Sequence, residues 1–254
     1  MSSTRLNDLK AYALQAASDL REEQHLTLLS PANLGQILRD KNIQVLFRPM
    51  GKESSGMAIR CMNVEGDVCR FMMVNTDCVV GHQRFTVCHE LYHLLYQKDF
   101  NYVSEQTAQF SVREPEEFKA DWFASFLILP DGTLQRLVPV EEQRKNAITL
   151  ATLLAIEQRF RCSRKTVLFR LKDLGWIDNE KFDEFSTSVI RNALMYGYPT
   201  ELYKSTGTTS FWGDYNIKAR QLYDRGSISL AKYSALLEEI GIDLTKEVIE
   251  DGEV

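Results

Sequence analysis

The chain has 254 residues, 44% of them hydrophobic, and a formal net charge of −5. This composition supplies a real core, excludes long-range disorder and gives no overall electrostatic reason to bind nucleic acid. The length suits one large domain, or a domain of ordinary size with a smaller companion.

The five cysteines, Cys61, Cys69, Cys78, Cys88 and Cys162, form no CxxC pair. That argues against a disulfide framework and against a cysteine zinc finger. Residues 1–20 carry Asp8 and Asp19 and lack an apolar run, so no signal peptide is expected. No apolar stretch reaches membrane-spanning length, and a reducing cytoplasm is the expected compartment.

In chain order, residues 4–22 place Leu6, Leu9, Ala13, Ala16 and Leu20 at helical spacing. Ser30-Pro31 then reads as the N-cap and first position of a second helix running to about Asp40. Ile43–Phe47 is strand-like, and a turn-rich stretch follows from Pro49 to Gly56. Met57–Val64 and Val68–Asn75, joined through Glu65-Gly66-Asp67, read as a hairpin. Residues 84–97 and 114–129 read as helices, the second opened near Pro115 and stopped by Pro130-Asp131-Gly132. Beyond residue 140 the pattern is helical, with loops around Tyr198-Pro199 and Ser205–Gly213. Leu150–Phe160 and Ser163–Leu174 resemble a helix-turn-helix pair.

The chemistry concentrates in His89-Glu90-Leu91-Tyr92-His93, an HExxH pattern. On a helix, residues four apart share a face, so two imidazoles can converge on one metal ion. Glu90 lies about 100° round the helix from His89. From there it can act as general base on a water without ligating the metal. Hydrolytic zinc takes three protein ligands and keeps one position open. The remaining histidines, His25 and His82, lie outside the predicted helix. A carboxylate from residues 114–129 is therefore the candidate third ligand. Glu117 is favoured because Asp121 stands four residues on, where it can hydrogen-bond a ligand imidazole and fix its tautomer. Glu114 and Glu116 remain alternatives.

Other features have simpler readings. Cys88 and Cys78 flank the motif and can be switch thiolates, though a buried thiol is the expectation. Trp122, Phe123 and Phe126 read as core packing. Residues 157–172 carry Arg159, Arg161, Arg164, Lys165, Arg170 and Lys172 against Glu157 alone. This is either a nucleic-acid or substrate contact, or a solvated face.

Residues 84–95, Arg-Phe-Thr-Val-Cys-His-Glu-Leu-Tyr-His-Leu-Leu, resemble the active-site helix of the ImmA/IrrE-type metallo-endopeptidases. The resemblance extends to the strand ending in Val74-Asn75 and to Glu117, Ala120, Asp121, Phe123, Ala124, Leu127 and Pro130. It implies Zn2+ held by His89, His93 and Glu117, with Glu90 catalytic and Asp121 in support. It also implies a cytoplasmic endopeptidase that cuts a partner helix-turn-helix repressor and so releases stress, mobile-element or defence genes. The competing reading is a non-catalytic zinc-containing regulator that binds DNA or protein through its C-terminal helices.

The expected architecture is α+β. A zincin-like core of helices with a small antiparallel sheet occupies residues 1–140. A helix-turn-helix-like segment follows over 141–176, then a helical region over 177–254. The peptide substrate is expected to lie along Val68–Asn75 as an edge strand.

Overall fold

The computed structural model describes residues 3–62, 66–98, 100, 102–105 and 114–244. The first half runs α1 (Ser3–Glu23), α2 (Leu34–Asp40), β1 (Ile43–Arg48), β2 (Gly56–Met62), β3 (Val68–Asn75), α3 (Val80–Leu95), β4 (Tyr102–Glu105) and α4 (Pro115–Ile128). The second half runs α5 (Thr133–Leu137), α6 (Leu150–Phe160), α7 (Arg164–Asp173), α8 (Asn179–Phe185), α9 (Val189–Met195), β5 (Ser210–Trp212), α10 (Tyr215–Asp224) and α11 (Leu230–Glu239). The fold is α+β, as the sequence pattern predicts.

The sheet is mixed rather than wholly antiparallel. Its order is β4-β2-β3-β1-β5, with β1 and β3 parallel and the other neighbours antiparallel. The reason lies in residues 49–55. They reverse the chain but leave a gap one strand wide, and β3 returns into it. Asn75 fixes that turn from inside. Its Nδ2 donates to Gly51 O at 2.5 Å and Ser54 O at 2.7 Å, while Oδ1 accepts from the Met50 and Asp77 amides. Val68–Asn75 is therefore an interior strand, and its expected role as a substrate-binding edge is overturned. The β2–β3 hairpin is present; its predicted turn residue Glu65 and strand residue Val64 lie outside the described residues.

The predicted start of α2 also moves. Asn33, not Ser30, caps it, accepting from Gln36 N at 3.2 Å. Ser30 is engaged one turn earlier with Thr27, whose hydroxyl lies 2.8 Å from its own.

Helix α3 is the hub. Twelve of its sixteen residues are buried, so it is covered on nearly every side rather than amphipathic. The sheet covers one side of α3 and α4 the other. Helix α1 backs α4 through Ala13, Ala16, Ala17 and Leu20, small side chains that permit close approach. Arg21 at the end of α1 donates to Leu127 O at 2.7 Å and to Thr27 and Ser30 carbonyls, tying the end of α4 in place. Trp122, Phe123 and Phe126 are buried in this core.

The α6–α7 pair is seated on the start of α3. A Cβ at Gly81 would stand 2.9 Å from the Ser163 backbone, so only glycine allows this approach. Ser163 caps α7 by accepting from Thr166 N. Arg164 pairs with Glu157 in the interior, and Tyr203 donates to the same carboxylate at 2.6 Å. Arg170 is buried as well, donating to Leu129 O at 2.9 Å and pairing with Asp131 at 3.0 Å. Two of the six basic residues in 157–172 thus serve the fold's interior. No described helix is long and apolar enough to cross a membrane.

Candidate metal centre

The middle of α3 presents His89 and His93 on one face, and the first turns of α4 cross it with Glu117 and Asp121. All four side chains are buried, as is Glu90. Glu117 bridges the two imidazoles: Oε2 is 3.0 Å from His89 Nε2 and Oε1 is 3.3 Å from His93 Nε2. The two Nε2 atoms stand 3.1 Å apart. Three ligand atoms therefore converge, and His89, His93 and Glu117 can hold a metal ion. Among the described residues no fourth His, Cys, Asp or Glu joins them.

The outer nitrogens are also accounted for. His89 Nδ1 lies 3.0 Å from Asp121 Oδ1, and His93 Nδ1 meets Gln97 Oε1 one turn on. This decides the chemistry of the cluster. An imidazole flanked by carboxylate oxygens at both nitrogens needs positive charge on both sides: two protons, or one proton and a cation. The titration behaviour agrees. Burial alone would lower the pKa of His89, but its hydrogen bonds to Asp121 and Glu117 overcome this and push it up to about 10. Burial likewise works to raise Glu117, yet the hydrogen bonds and charges of His89 and His93 hold it well below the usual carboxylate range. Glu90 differs. Burial pushes its carboxyl up to about 7, and its Oε2 is buried with no hydrogen-bond partner among the described residues.

Such a constellation marks metallopeptidases, and the family comparison agrees: the model for the peptidase M78 family, an IrrE N-terminal-like domain, matches residues 38–172. The chain belongs to this family. No curated protein sequence matches it.

In this M78 peptidase the alternative acids are placed elsewhere. Glu114 is the exposed, extended residue before α4. Glu116 accepts from Tyr92 OH at 2.8 Å and from Lys119. The structure brings together Glu117, Asp121, His89, His93 and Glu90, as the spacing predicts. His82 lies inside the first turn of α3 rather than outside it, on the His89 face seven residues earlier, with Nε2 3.0 Å from Ser55 Oγ. Sequence reasoning missed Ser55, Gly56 and Gln97. Gln97 alone had a signal, as the i+4 residue after His93. Cys88 is fully buried, and burial pushes its thiol up to about 12. Neither it nor Cys78 joins the metal-ligating group.

Proposed function

We propose that the protein is a zinc-dependent endopeptidase, acting in the cytoplasm on one protein partner, a helix-turn-helix transcriptional repressor. The single observation that carries the hydrolytic reading is the convergence of His89 Nε2, His93 Nε2 and Glu117 beside the buried, unbonded Glu90 Oε2. Ligand atoms on a tetrahedral zinc with bonds of 2.0–2.1 Å stand about 3.3 Å apart. Here the two Nε2 atoms stand 3.1 Å apart, and Glu117 reaches His89 through Oε2 at 3.0 Å and His93 through Oε1 at 3.3 Å. The donor set thus fits zinc, with no fourth protein ligand among the described residues to close the site.

Zinc bound there supplies Lewis acidity, polarising the scissile carbonyl and making the attacking water more acidic. Glu90 accepts the proton of that water as its oxygen attacks, and delivers it to the leaving nitrogen as the C–N bond breaks. Asp121 and Gln97 hold the imidazoles in the tautomer that leaves Nε2 free to ligate. An extended peptide pairs with an edge strand, and β4 takes the place first given to β3, because it ends the sheet on the β2 side. The repressor as substrate, and the release of stress, mobile-element or defence genes, rest on the resemblance of residues 84–95 and 117–130 to the ImmA/IrrE-type enzymes.

The test pairs the purified, zinc-loaded protein with any helix-turn-helix repressor that a neighbouring gene encodes. Wild type cuts it. Glu90→Gln keeps stoichiometric zinc and loses cleavage by about 100-fold or more, the usual worth of a positioned general base. Cleavage by that variant at the wild-type rate removes Glu90 from the mechanism. A non-catalytic site has no need of Glu90 and is ordinarily closed by a fourth ligand, so the regulator reading gains no support from this geometry.

A further inference from the structure

An open cavity of about 970 Å³ lies where α2, β1 and α3 meet the turn from β5 into α10. That is the scale of a small-molecule site. None of the residues around the metal centre lines it. Arg39, Arg84 and Arg161 do, and Asp214 is the one acid in the lining. Asp214 is paired with Lys218 at 3.0 Å. In a chain of net charge −5, three guanidinium groups around one cavity run against the global charge.

Among the described residues these arginines lack acidic partners. Arg84, on α3, donates Nε to Arg161 O at 2.9 Å and Nη2 to Ala32 O at 3.2 Å, both neutral carbonyls. Burial lowers its pKa, and the neighbouring charge of Arg161 adds to the effect. The Arg161 guanidinium has no hydrogen bond or ion pair among the described residues, on a backbone at φ 51° that ends α6. Among the described residues Arg39 donates only to Gln36 Oε1, at 2.9 Å. Two close cations, one of them partly buried, are unfavourable unless an anion offsets them.

The space also has an aromatic wall. An atom at the Cβ position of Gly35 would lie 3.6 Å from Arg39 Nη1, 3.7 Å from Asn33 Oδ1 and 4.0 Å from Trp212 Cζ3. A guanidinium, an amide oxygen and an indole edge thus surround one point. Trp212 is 41% exposed and backed by Phe47, ring centroids 4.9 Å apart.

We propose that this cavity binds a phosphorylated aromatic ligand of mononucleotide size, its phosphate held by Arg39, Arg84 and Arg161 and its ring set against Trp212. Guanidinium groups suit phosphate oxygens, and a base stacks on an aromatic face whatever its sequence identity. Because Arg84 shares α3 with His89, the ligand would contact the helix that carries the metal ligands.

The test uses the full chain and isothermal titration calorimetry with AMP and with inorganic phosphate, read beside tryptophan fluorescence. AMP binding tighter than phosphate, with quenching that Trp212→Phe removes, supports the proposal. Arg161→Glu and Arg39→Glu should each weaken AMP about tenfold or more, as expected for a lost charge-assisted hydrogen bond. Gly35→Leu, in a helix, should fill the space and abolish binding. Phosphate binding as tightly as AMP overturns the aromatic assignment. No heat with either probe, or affinities unchanged in Arg161→Glu, whose side chain is exposed, overturns the site.

Discussion

The Cβ position of Gly56 lies 3.5 Å from Glu90 Oε1 and 2.5 Å from Thr86 Cγ2, with Met73 O at 2.9 Å. β2 and α3 therefore touch where the proposed base is held. A methyl group at 56 has no room, since a backbone carbonyl and a fully buried threonine confine it. Gly56→Ala should destabilise the fold by about 1–3 kcal/mol, as overpacked cores do. That is a fall in Tm of about 2–4 °C per kcal/mol for a chain of this size. Turnover should fall as well, because Glu90 must shift, while zinc content stays stoichiometric. Calorimetry and metal analysis on the same sample check both. An unchanged Tm would mean that β2 is free to move away from α3.

Asp121 and Glu117 should separate in a metal-binding assay. Glu117→Gln removes a charged ligand and should abolish stoichiometric zinc. Asp121→Asn keeps the shape but weakens the hold on His89 Nδ1. Partners of this kind are usually worth about 10–100-fold in metal affinity. Competition against a chromogenic chelator measures both. Equal losses in the two variants would place Asp121 on the metal itself rather than behind His89.

This pair also shows why the centre is legible from sequence and the sheet is not. Helical spacing converts directly into distance, so His89/His93 and Glu117/Asp121 each define one face before any coordinates exist. Burial then separates Glu117 from exposed Glu114 and half-buried Glu116, the same choice that its i+4 partner Asp121 favours in the sequence. Strand order carries no such code. β1 and β2 are separated by a seven-residue turn that suits a hairpin, and nothing local says that β3 will insert between them. β5 spans three residues inside a stretch read as loop, too short for an alternating pattern. Gly56 and Ser55 gave no signal, because what defines them is an approach by α3 from elsewhere in the chain.

The pKa of His89, pushed up to about 10 by its hydrogen bonds to Asp121 and Glu117 against the effect of burial, predicts proton release on metal binding. A ligating imidazole must be neutral at the bonding nitrogen. Zinc uptake at pH 7–8 should therefore release about one proton from this site, and apparent affinity should rise about tenfold per pH unit across that range. Calorimetric titration in buffers of different ionisation heat counts the protons. The sign for stability is opposite. A folded-state pKa above the ordinary imidazole value of 6.5 stabilises the metal-free fold fully below 6.5. That contribution is lost as pH rises toward 10. Metal-free protein should thus lose Tm with rising pH over this window. Uptake without proton release would contradict the His89–Glu117 pairing.

The buried Glu157–Arg164 pair joins α6 to α7 directly behind the Gly81–Ser163 contact, with Tyr203 OH on the same carboxylate. Arg164→Met should cost about 3–5 kcal/mol, because it leaves an uncompensated buried carboxylate. The double variant Glu157→Leu/Arg164→Met should recover much of the loss, since a volume-matched apolar pair carries no desolvation penalty. pH supplies an independent check. Burial already raises the Glu157 pKa, while Arg164 works to lower it. Without Arg164 the carboxyl rises further, and the folded state then binds its proton more tightly than the unfolded state. Stability of the single variant should fall as pH climbs from the ordinary carboxylate range toward neutrality. The double variant should lack that slope. Denaturant midpoints at pH 5 and pH 8 for the three proteins test this, and a single variant with equal deficits at both values would show that Glu157 never carries the uncompensated charge.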